Sequence, residues 1–218
     1  MKTAIVIGAT GLVGRHLTQK LLSDNSYSKV KIFVRRSANI SNQKLEEHII
    51  DFEKLRDWKN KITGDELFSA LGTTIRKEKS KEKQYKIDVT YQFEVAKAAA
   101  DNGVSGYCLV SSVGANSESK LFYLRIKGEL EAMVFSLPFK KIRILRPPLL
   151  IGHRDEKRFG EKTSEIILKL LIPVFPFLKN QKPIEGEKVA EAMIRSMSAD
   201  DERIRIYEPG EIFKLTAS

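Results

Sequence analysis

Short apolar runs and helical patterns alternate along the 218 residues of this chain. Runs rich in β-branched residues predict strands over 2–7, 30–35, 49–50, 67–71, 107–113, 142–146 and 203–208. Apolar positions at helical spacing predict helices over 12–22, 86–102, 119–135, 163–171 and 188–197. A chain in which strands alternate with helices is predicted to be an α/β protein, a doubly wound parallel sheet with helices on both faces.

One hydrophobic core is expected for the whole chain. Hydrophobic residues make up 42% of the sequence and are spread along its length, which predicts a single domain over residues 1–218. Within it, residues 150–218 are expected to contribute a small substrate-side region. The apolar segment 166–178 is predicted to roof a small pocket or to contact a protein partner. The Lys-rich segment 76–86 is predicted to be an exposed, mobile loop.

The chain is basic, with 38 lysine and arginine residues against 28 acidic ones and a formal charge of +10. This balance suits an anionic ligand such as a phosphorylated cofactor, although solvation by Lys-rich helices gives the same balance. No basic stretch is interleaved with aromatic residues, so nucleic acid is not an expected partner. The single cysteine, Cys108, excludes an internal disulfide and predicts a cytoplasmic location, and no stretch is long enough to span a membrane.

A glycine-rich loop follows the first predicted strand and opens the first predicted helix. Its first glycine permits a sharp turn, its second leaves room for a pyrophosphate beside the backbone, and its third permits close packing of helix against strand. The helix N-terminus offers free N–H groups and the positive end of its dipole. This context predicts a Rossmann-type nucleotide site. The residues predicted to bind the cofactor here are Gly8, Thr10, Gly11, Leu12, Val13 and Gly14.

Two arginines follow the second predicted strand, where a protein selective for NAD(H) usually presents an acidic residue to the ribose 2′-hydroxyl. Arg35 and Arg36 suit a 2′-phosphate instead, because a guanidinium forms bidentate, charge-assisted hydrogen bonds with phosphate oxygens. The alternative is a solvated strand end. The sequence favours NADP(H) over NAD(H) as the cofactor.

Tyr123 and Lys127 stand four residues apart on the predicted helix 119–135 and therefore share one face. The pKa of a free tyrosine is about 10, and a neighbouring ammonium lowers it toward neutrality. The pair is therefore suited to proton transfer that accompanies hydride transfer. Ser111 and Ser112 end the fifth predicted strand, at the sheet edge where such folds bind ligands, and either hydroxyl can orient a substrate oxygen.

With these motifs, the chain resembles the short-chain dehydrogenase/reductase superfamily and, within it, the atypical branch of epimerase-like NAD(P)-binding proteins. It resembles in particular the Tat-interacting-protein oxidoreductase group. The resemblance covers most of the chain and is specific for the branch, not for a substrate. The stretches that carry it are GATGLVGRHL at 8–17, SALGTT at 69–74, LVSSVGANSES at 109–119, FYLRIKGELEA at 122–132 and ILRPPLLIG at 144–152.

The resemblance implies roles for further residues. The end of the third strand flanks the adenine, the turn after the fourth follows the ribose and pyrophosphate, and the segment after the sixth borders the nicotinamide. The implied cofactor-binding residues in addition to the loop and the arginines are Asp51, Phe52, Ala70, Leu71, Gly72, Thr73, Ser111, Tyr123, Lys127, Pro147 and Leu149. The implied catalytic triad is Ser112, Tyr123 and Lys127, with Ser111 as the alternative serine.

Two functions from different classes fit these residues. The first is an NADP(H)-dependent oxidoreductase acting on a small carbonyl or alcohol substrate, with Tyr123 as general acid in reduction. A sugar-nucleotide substrate is not expected, because only residues 147–218 follow the sixth predicted strand. The second is a catalytically weak NADPH-binding regulatory or sensor protein that acts through protein partners. The sequence leaves the oligomeric state open, with a protein partner or a homo-oligomer as alternatives, and no metal site is predicted.

Overall fold

Parallel strands in one sheet form the centre of the fold. The computed structural model describes residues 1–152, 182–199 and 202–217. The strands of the sheet are β1 (Lys2–Ile7), β2 (Tyr27–Val34), β3 (Leu45–Ile49), β4 (Glu66–Ser69), β5 (Gly106–Val110), β6 (Lys141–Leu145) and β9 (Ile204–Tyr207). They lie in the order β3-β2-β1-β4-β5-β6-β9, and all neighbours are parallel. The two-residue strands β7 (Leu150–Ile151) and β8 (Ile184–Glu185) form a separate parallel pair.

Helices cover both faces of the sheet. They are α1 (Leu12–Ser23), α2 (Ile75–Glu78), α3 (Lys81–Tyr85), α4 (Tyr91–Asp101), α5 (Phe122–Phe135), α6 (Gly186–Ser198) and α7 (Pro209–Leu215). Two 3-10 turns, Phe52–Asp57 and Lys59–Lys61, lie between β3 and β4. A π-helical segment, Lys86–Thr90, connects α3 to α4.

Alternate residues of β1 contribute to two hydrophobic layers on opposite faces of the sheet. Ala4 and Val6 belong to the layer that includes α1, α6 and α7, whereas Ile5 and Ile7 belong to the layer that includes α4 and α5. All four side chains are fully buried. A parallel strand covered on both faces is expected to be a continuous apolar run, and residues 4–7 form such a run.

The predicted doubly wound parallel sheet is confirmed, with strand ends shifted by a few residues. The predicted helix 86–102 is divided, because its first turn is π-helical and α4 begins at Tyr91. Helix α5 begins at Phe122 rather than at Ser119. The hydroxyl of Ser119 accepts a hydrogen bond from the nitrogen of Leu121 at 3.2 Å, so Ser119 lies in the turn before the helix.

The Lys-rich segment 76–86 differs most from expectation. The prediction of a loop is wrong, because the segment contains most of α2 and all of α3. The side chain of Thr74 accepts a hydrogen bond from the nitrogen of Lys77, and that of Ser80 accepts one from the nitrogen of Lys83. These N-terminal caps stabilise two short helices that have no apolar periodicity to reveal them.

Helix α7 is a second element that the apolar pattern did not predict. Glu208 and Glu211 form a reciprocal capping box, and Pro209 lies in the first turn of the helix. The predicted helix 163–171 and the apolar segment 166–178 lie outside the described residues. Within the described ranges, no helix has both the length and the apolar character that a membrane span requires.

Candidate functional site

The glycine-rich loop joins β1 to α1 and packs tightly against the end of β4. Gly8 has a φ of +80°, and a Cβ at this position would overlap the backbone of Ala70. A Cβ on Gly14 would overlap the carbonyl oxygen of Gly8. Both positions therefore require glycine. Gly11 is the N-cap of α1, and its nitrogen donates to the carbonyl of Gly8 at 2.9 Å.

The start of α1 is suited to an anionic group. Gly11 provides no side-chain cap, and the first turn contains no acidic residue. The N–H groups of Leu12 and Val13 therefore have no acceptor within the helix. Thr10 is exposed in the loop that precedes them. Uncapped N–H groups and the helix dipole form a phosphate-binding arrangement, so this loop fits the pyrophosphate of a dinucleotide.

Arg35 and Arg36 follow the carboxyl end of β2, beside this loop. The register of the sheet pairs Ile7 with Phe33, so the arginines leave the sheet at the edge where the glycine-rich loop also leaves it. Both are exposed, and within the part of the chain that the structure describes neither forms an ion pair or a hydrogen bond. Two guanidinium groups without counter-ions fit a phosphate on the adenosine ribose.

Asp51 and Phe52, the residues expected beside an adenine, begin the 3-10 turn after β3. The carboxylate of Asp51 accepts a hydrogen bond from the nitrogen of Glu53 at 3.0 Å. Phe52 is buried and stacks on Tyr91 with 5.3 Å between ring centroids. Phe52 is therefore mainly a core residue, and Asp51 is the more accessible of the two.

The turn after β4 extends from the glycine-rich loop to a buried carboxylate. Ala70 and Leu71 are half-buried at the start of this turn. At Gly72, a Cβ would lie only 3.1 Å from Oδ1 of Asp88. The nitrogen of Thr73 donates a hydrogen bond to that same oxygen at 3.2 Å. The backbone of this turn therefore covers the carboxylate of Asp88.

Lys127 pairs with this buried carboxylate. Its side chain is 5% exposed, and its ammonium lies 3.3 Å from Oδ1 of the fully buried Asp88. Burial alone would lower the pKa of Lys127, but the charge of Asp88, together with Tyr123 and Glu131, outweighs burial and raises that pKa above its usual value. Lys127 is therefore a charged ammonium near neutral pH. Oδ2 of Asp88 has no hydrogen-bond partner among the described residues.

Tyr123 lies one turn before Lys127 on α5, as the spacing predicted. Its side chain is half-buried, with 5.9 Å between its ring centroid and the ammonium of Lys127. A Cβ on Gly128 would overlap the backbone of Asn116 and Ser117, so the helix packs directly on the loop after β5. This close contact, which lies within the chain, holds the Tyr123 helix against the segment that begins with the two serines.

The two serines after β5 have different partners. Ser111 is buried and donates a hydrogen bond to Oε1 of Glu131 on α5. Glu131 also accepts hydrogen bonds from Arg146, from Nε at 3.1 Å and from Nη2 at 2.5 Å, and this bonding raises the pKa of Arg146 above its usual value. Ser112 is half-buried, and its hydroxyl donates to the carbonyl of Val113 at 3.3 Å. The hydroxyl of Ser111 therefore takes part in a buried hydrogen bond that joins the end of β5 to α5.

Pro147 and Leu149 follow β6 at the same edge of the sheet. Both are buried, and the carbonyl of Pro147 accepts a hydrogen bond from the nitrogen of Val113 at 3.1 Å. The segment after β6 is therefore fixed to the segment after β5. Pro147 and Leu149 make this part of the sheet edge apolar.

The described part of residues 150–218 returns to the glycine-rich loop. A Cβ on Gly152 would lie 2.7 Å from Cδ1 of Leu12, and one on Gly186 would lie 2.9 Å from the carbonyl oxygen of Leu12. The β7–β8 pair and the start of α6 therefore pack on the first turn of α1. This part of the chain closes on the anion-binding end of the candidate site.

Asp88 and Glu131 are site residues that the motifs did not predict. Glu131 stands four residues after Lys127 and eight after Tyr123, so it continues the same face of α5. Asp88 stands four residues before the buried Gln92, at an inward position of its helical segment. A carboxylate at an inward position is rarely buried without a partner, and this is the signal that could have identified both residues.

Comparison with known proteins gives a family and a fold. A family model described as NAD(P)H-binding matches residues 8–135, from the glycine-rich loop to the end of α5. The mitochondrial protein FMP52 of Eremothecium gossypii is 34% identical over 97% of this chain and 96% of its own length. The mitochondrial protein FMP52-1 of Scheffersomyces stipitis is 33% identical over 98% of both. In fold, the chain is similar to the ADP-L-glycero-D-manno-heptose-6-epimerase of Helicobacter pylori, with a TM-score of 0.70, 19% identity and coverage of 98% of this chain and 80% of that one.

The names of these relatives correct one expectation. The predicted cytoplasmic location is wrong, because the relatives that match nearly the whole chain are named mitochondrial proteins. The prediction depended on the single cysteine, Cys108, which is buried and unpaired. A free thiol indicates reducing surroundings and does not distinguish one reducing compartment from another.

Proposed function

Because this chain belongs to the NAD(P)H-binding family and is a relative of the fungal FMP52 proteins, we propose that it is an NADP(H)-dependent oxidoreductase. It is of the atypical short-chain dehydrogenase/reductase type and acts on a small carbonyl or alcohol substrate. The observation that carries the proposal is the buried ammonium of Lys127 beside Tyr123. A cation next to a phenol is the pairing that proton transfer to a carbonyl oxygen requires.

The residues of the site divide between the two ends of the cofactor. The glycine-rich loop would hold the pyrophosphate, and Arg35 and Arg36 would hold the 2′-phosphate. Asp51 would lie toward the adenine, and the buried segment after β6 toward the nicotinamide. Bound NADPH supplies the hydride. Residues 150–218 would complete the substrate side of a single domain, which agrees with the packing of Gly152 on Leu12.

The protein itself supplies the proton for the reduction. Tyr123 donates its hydroxyl proton to the carbonyl oxygen as that oxygen gains negative charge, and the charge of Lys127 favours the phenolate that remains. Ser112 orients the carbonyl through a hydrogen bond from its hydroxyl. We assign this role to Ser112 rather than Ser111, because Ser111 is buried and its hydroxyl is donated to the Glu131 carboxylate, whereas Ser112 is half-buried and its hydroxyl makes only a 3.3 Å hydrogen bond to the carbonyl of the next residue.

Turnover tests the proposal directly. NADPH oxidation is followed at its absorbance maximum against a panel of small aldehydes and ketones. Tyr123→Phe is expected to lower the rate at least about a hundredfold while NADPH still binds, as measured by its fluorescence. Tyr85→Phe makes the same change on α3, where the hydroxyl hydrogen-bonds to Glu129 and to none of the proposed site residues, and should leave the rate unchanged. A wild-type protein that binds NADPH and reduces no carbonyl would overturn the enzyme proposal in favour of a regulatory NADPH-binding protein.

Cofactor preference is tested at the arginine pair. Each charge-assisted hydrogen bond contributes about 1.5–3 kcal/mol, so Arg35→Ala with Arg36→Ala should weaken NADPH binding by more than about a hundredfold and leave NADH binding nearly unchanged. Lys97→Ala with Lys214→Ala removes the same charge from exposed positions on α4 and α7 and serves as the control. Equal losses for the two cofactors would contradict a 2′-phosphate site.

The location of the protein is a separate proposal. The names of the fungal relatives support a mitochondrial location for this chain. Fractionation of cells that express the full chain, followed by immunodetection, tests it. Recovery in the cytosolic fraction alone would contradict it.

A further inference from the structure

Two segments from separate parts of the chain converge on the ammonium of Lys127. Asp88, in the π-helical segment before α4, is fully buried and places Oδ1 3.3 Å from Nζ. The nitrogen of Thr73 donates to the same oxygen. A Cβ on Gly72 would lie 3.1 Å from Oδ1 of Asp88 and 3.8 Å from Nζ of Lys127, so the turn after β4 covers the pair without a side chain. The geometry fixes the ammonium from separate parts of the chain.

We propose that Asp88 is a positioning residue for the reaction, whose carboxylate holds the Lys127 ammonium charged and in place beside Tyr123. The inference rests on the proposed function, because it gives Asp88 a part in that site. An amine buried to this extent tends to lose its proton unless an anion accompanies it. A neutral amine would have no charge with which to favour the phenolate of Tyr123.

The other groups that face Lys127 do not replace Asp88. Tyr123 precedes it by one turn of α5 and is the proton donor that the Lys127 charge is proposed to serve. Glu131 follows it by one turn, but Arg146 binds the Glu131 carboxylate at 2.5 Å. The turn after β4 contributes Gly72, which has no charge. Of the described residues around Lys127, Asp88 is thus the carboxylate in direct contact.

Oδ2 of Asp88 supports a role beyond stability. This oxygen is buried and has no hydrogen-bond partner among the described residues. A buried carboxylate oxygen without a donor is costly, and such groups need an explanation other than packing. A buried carboxylate with one oxygen that lacks a donor is expected where its negative charge acts on a neighbouring group. Here that group is the ammonium of Lys127.

The test measures NADPH affinity and calorimetric proton uptake from pH 7 to pH 9. Lys127→Met is measured in parallel to subtract the titration of the cofactor itself. Wild-type affinity is expected to be flat over this range, because Lys127 stays charged. In Asp88→Asn, affinity should fall as the pH rises, by up to about tenfold per pH unit. Glu94→Gln removes an exposed carboxylate from α4 and should keep the wild-type profile.

A rescue variant separates positioning from a structural role. When Asp88→Asn is combined with Lys127→Arg, the profile should be flat again, because a guanidinium keeps its proton. An Asp88→Asn profile as flat as that of the wild type would overturn the inference. So would a wild-type profile that still varies with pH after the Lys127→Met profile is subtracted, and this measurement does not depend on the folding of an Asp88 variant. Failure of the wild type to bind NADPH would overturn the proposed function instead.

Discussion

Glu131→Gln tests the charged network behind Ser111. The side chain of Glu131 is 3% exposed, and its two oxygens accept hydrogen bonds from Ser111 and from Nε and Nη2 of Arg146. Glutamine has nearly the same shape but only one acceptor oxygen. Because Arg146 donates to both carboxylate oxygens, the amide nitrogen of glutamine would face a donor of Arg146 in either orientation. The substitution therefore removes the counter-charge and leaves a buried donor unpaired.

The expected loss follows from the burial of this pair. Removing one partner of a buried ion pair costs about 3–5 kcal/mol. The side chain of Arg146 is 20% exposed and retains Glu208 at 2.9 Å. We therefore expect a loss in the free energy of unfolding near the lower limit, about 3 kcal/mol. In a chain of this length, 1 kcal/mol shifts Tm by about 2–4 °C, so Tm should fall by roughly 6–12 °C.

Glu208→Gln is the matched control, since it removes the other carboxylate of the same arginine. The side chain of Glu208 is 48% exposed, and an exposed ion pair contributes at most about 1 kcal/mol. Glutamine also keeps an oxygen that can cap α7. Urea unfolding at pH 7, followed by circular dichroism, compares the two variants. Equal losses would refute the argument that burial determines the strength of each half of this network.

Two further predictions concern the glycine-rich loop and the buried thiol. Gly14→Ala should abolish NADPH binding, because the added Cβ overlaps the carbonyl oxygen of Gly8. Fluorescence titration with NADPH checks this. Gly210→Ala is the control and should bind normally, because its added Cβ meets open space. Burial raises the pKa of Cys108 from 9.0 to about 12. The thiol therefore loses its proton first in the unfolded chain, and stability falls as the pH rises from the lower of these two values toward the higher. Cys108→Ala should reduce this fall by up to about 1.4 kcal/mol per pH unit in urea titrations at pH 8, 9 and 10, and an unchanged slope would contradict the burial of the thiol.

The parts of the site that could be predicted from the sequence have local signals. β1, the glycine-rich loop and α1 follow one another within 1–23, and each is specified by an apolar run, by glycines or by helical spacing. The pairing of Tyr123 with Lys127 is local too, because four residues make one turn of α5. Signals of this kind survive in the fold because tertiary contacts reinforce them.

The unpredicted parts depend on contacts between distant residues. Asp88 lies 39 positions from Lys127, and Glu131 lies 15 positions from Arg146, so no spacing rule connects them. Helices α2 and α3 were missed for a different reason. They are polar on nearly every side, and the capping hydroxyls that stabilise them look like ordinary loop residues in the sequence.

The distribution of charge distinguishes the two ends of the site. Each buried charge near Tyr123 has a partner of opposite sign: Lys127 has Asp88, and Glu131 has Arg146. Arg35 and Arg36 are exposed and have no counter-ion in the described ranges. Paired buried charges hold side chains in place and project little net field, whereas exposed, unpaired arginines attract an anion through solvent. A ligand suited to both ends has its negative charge at one end and an uncharged reacting group at the other. NADPH has that distribution, with phosphates on its adenosine half and a neutral dihydronicotinamide at the opposite end.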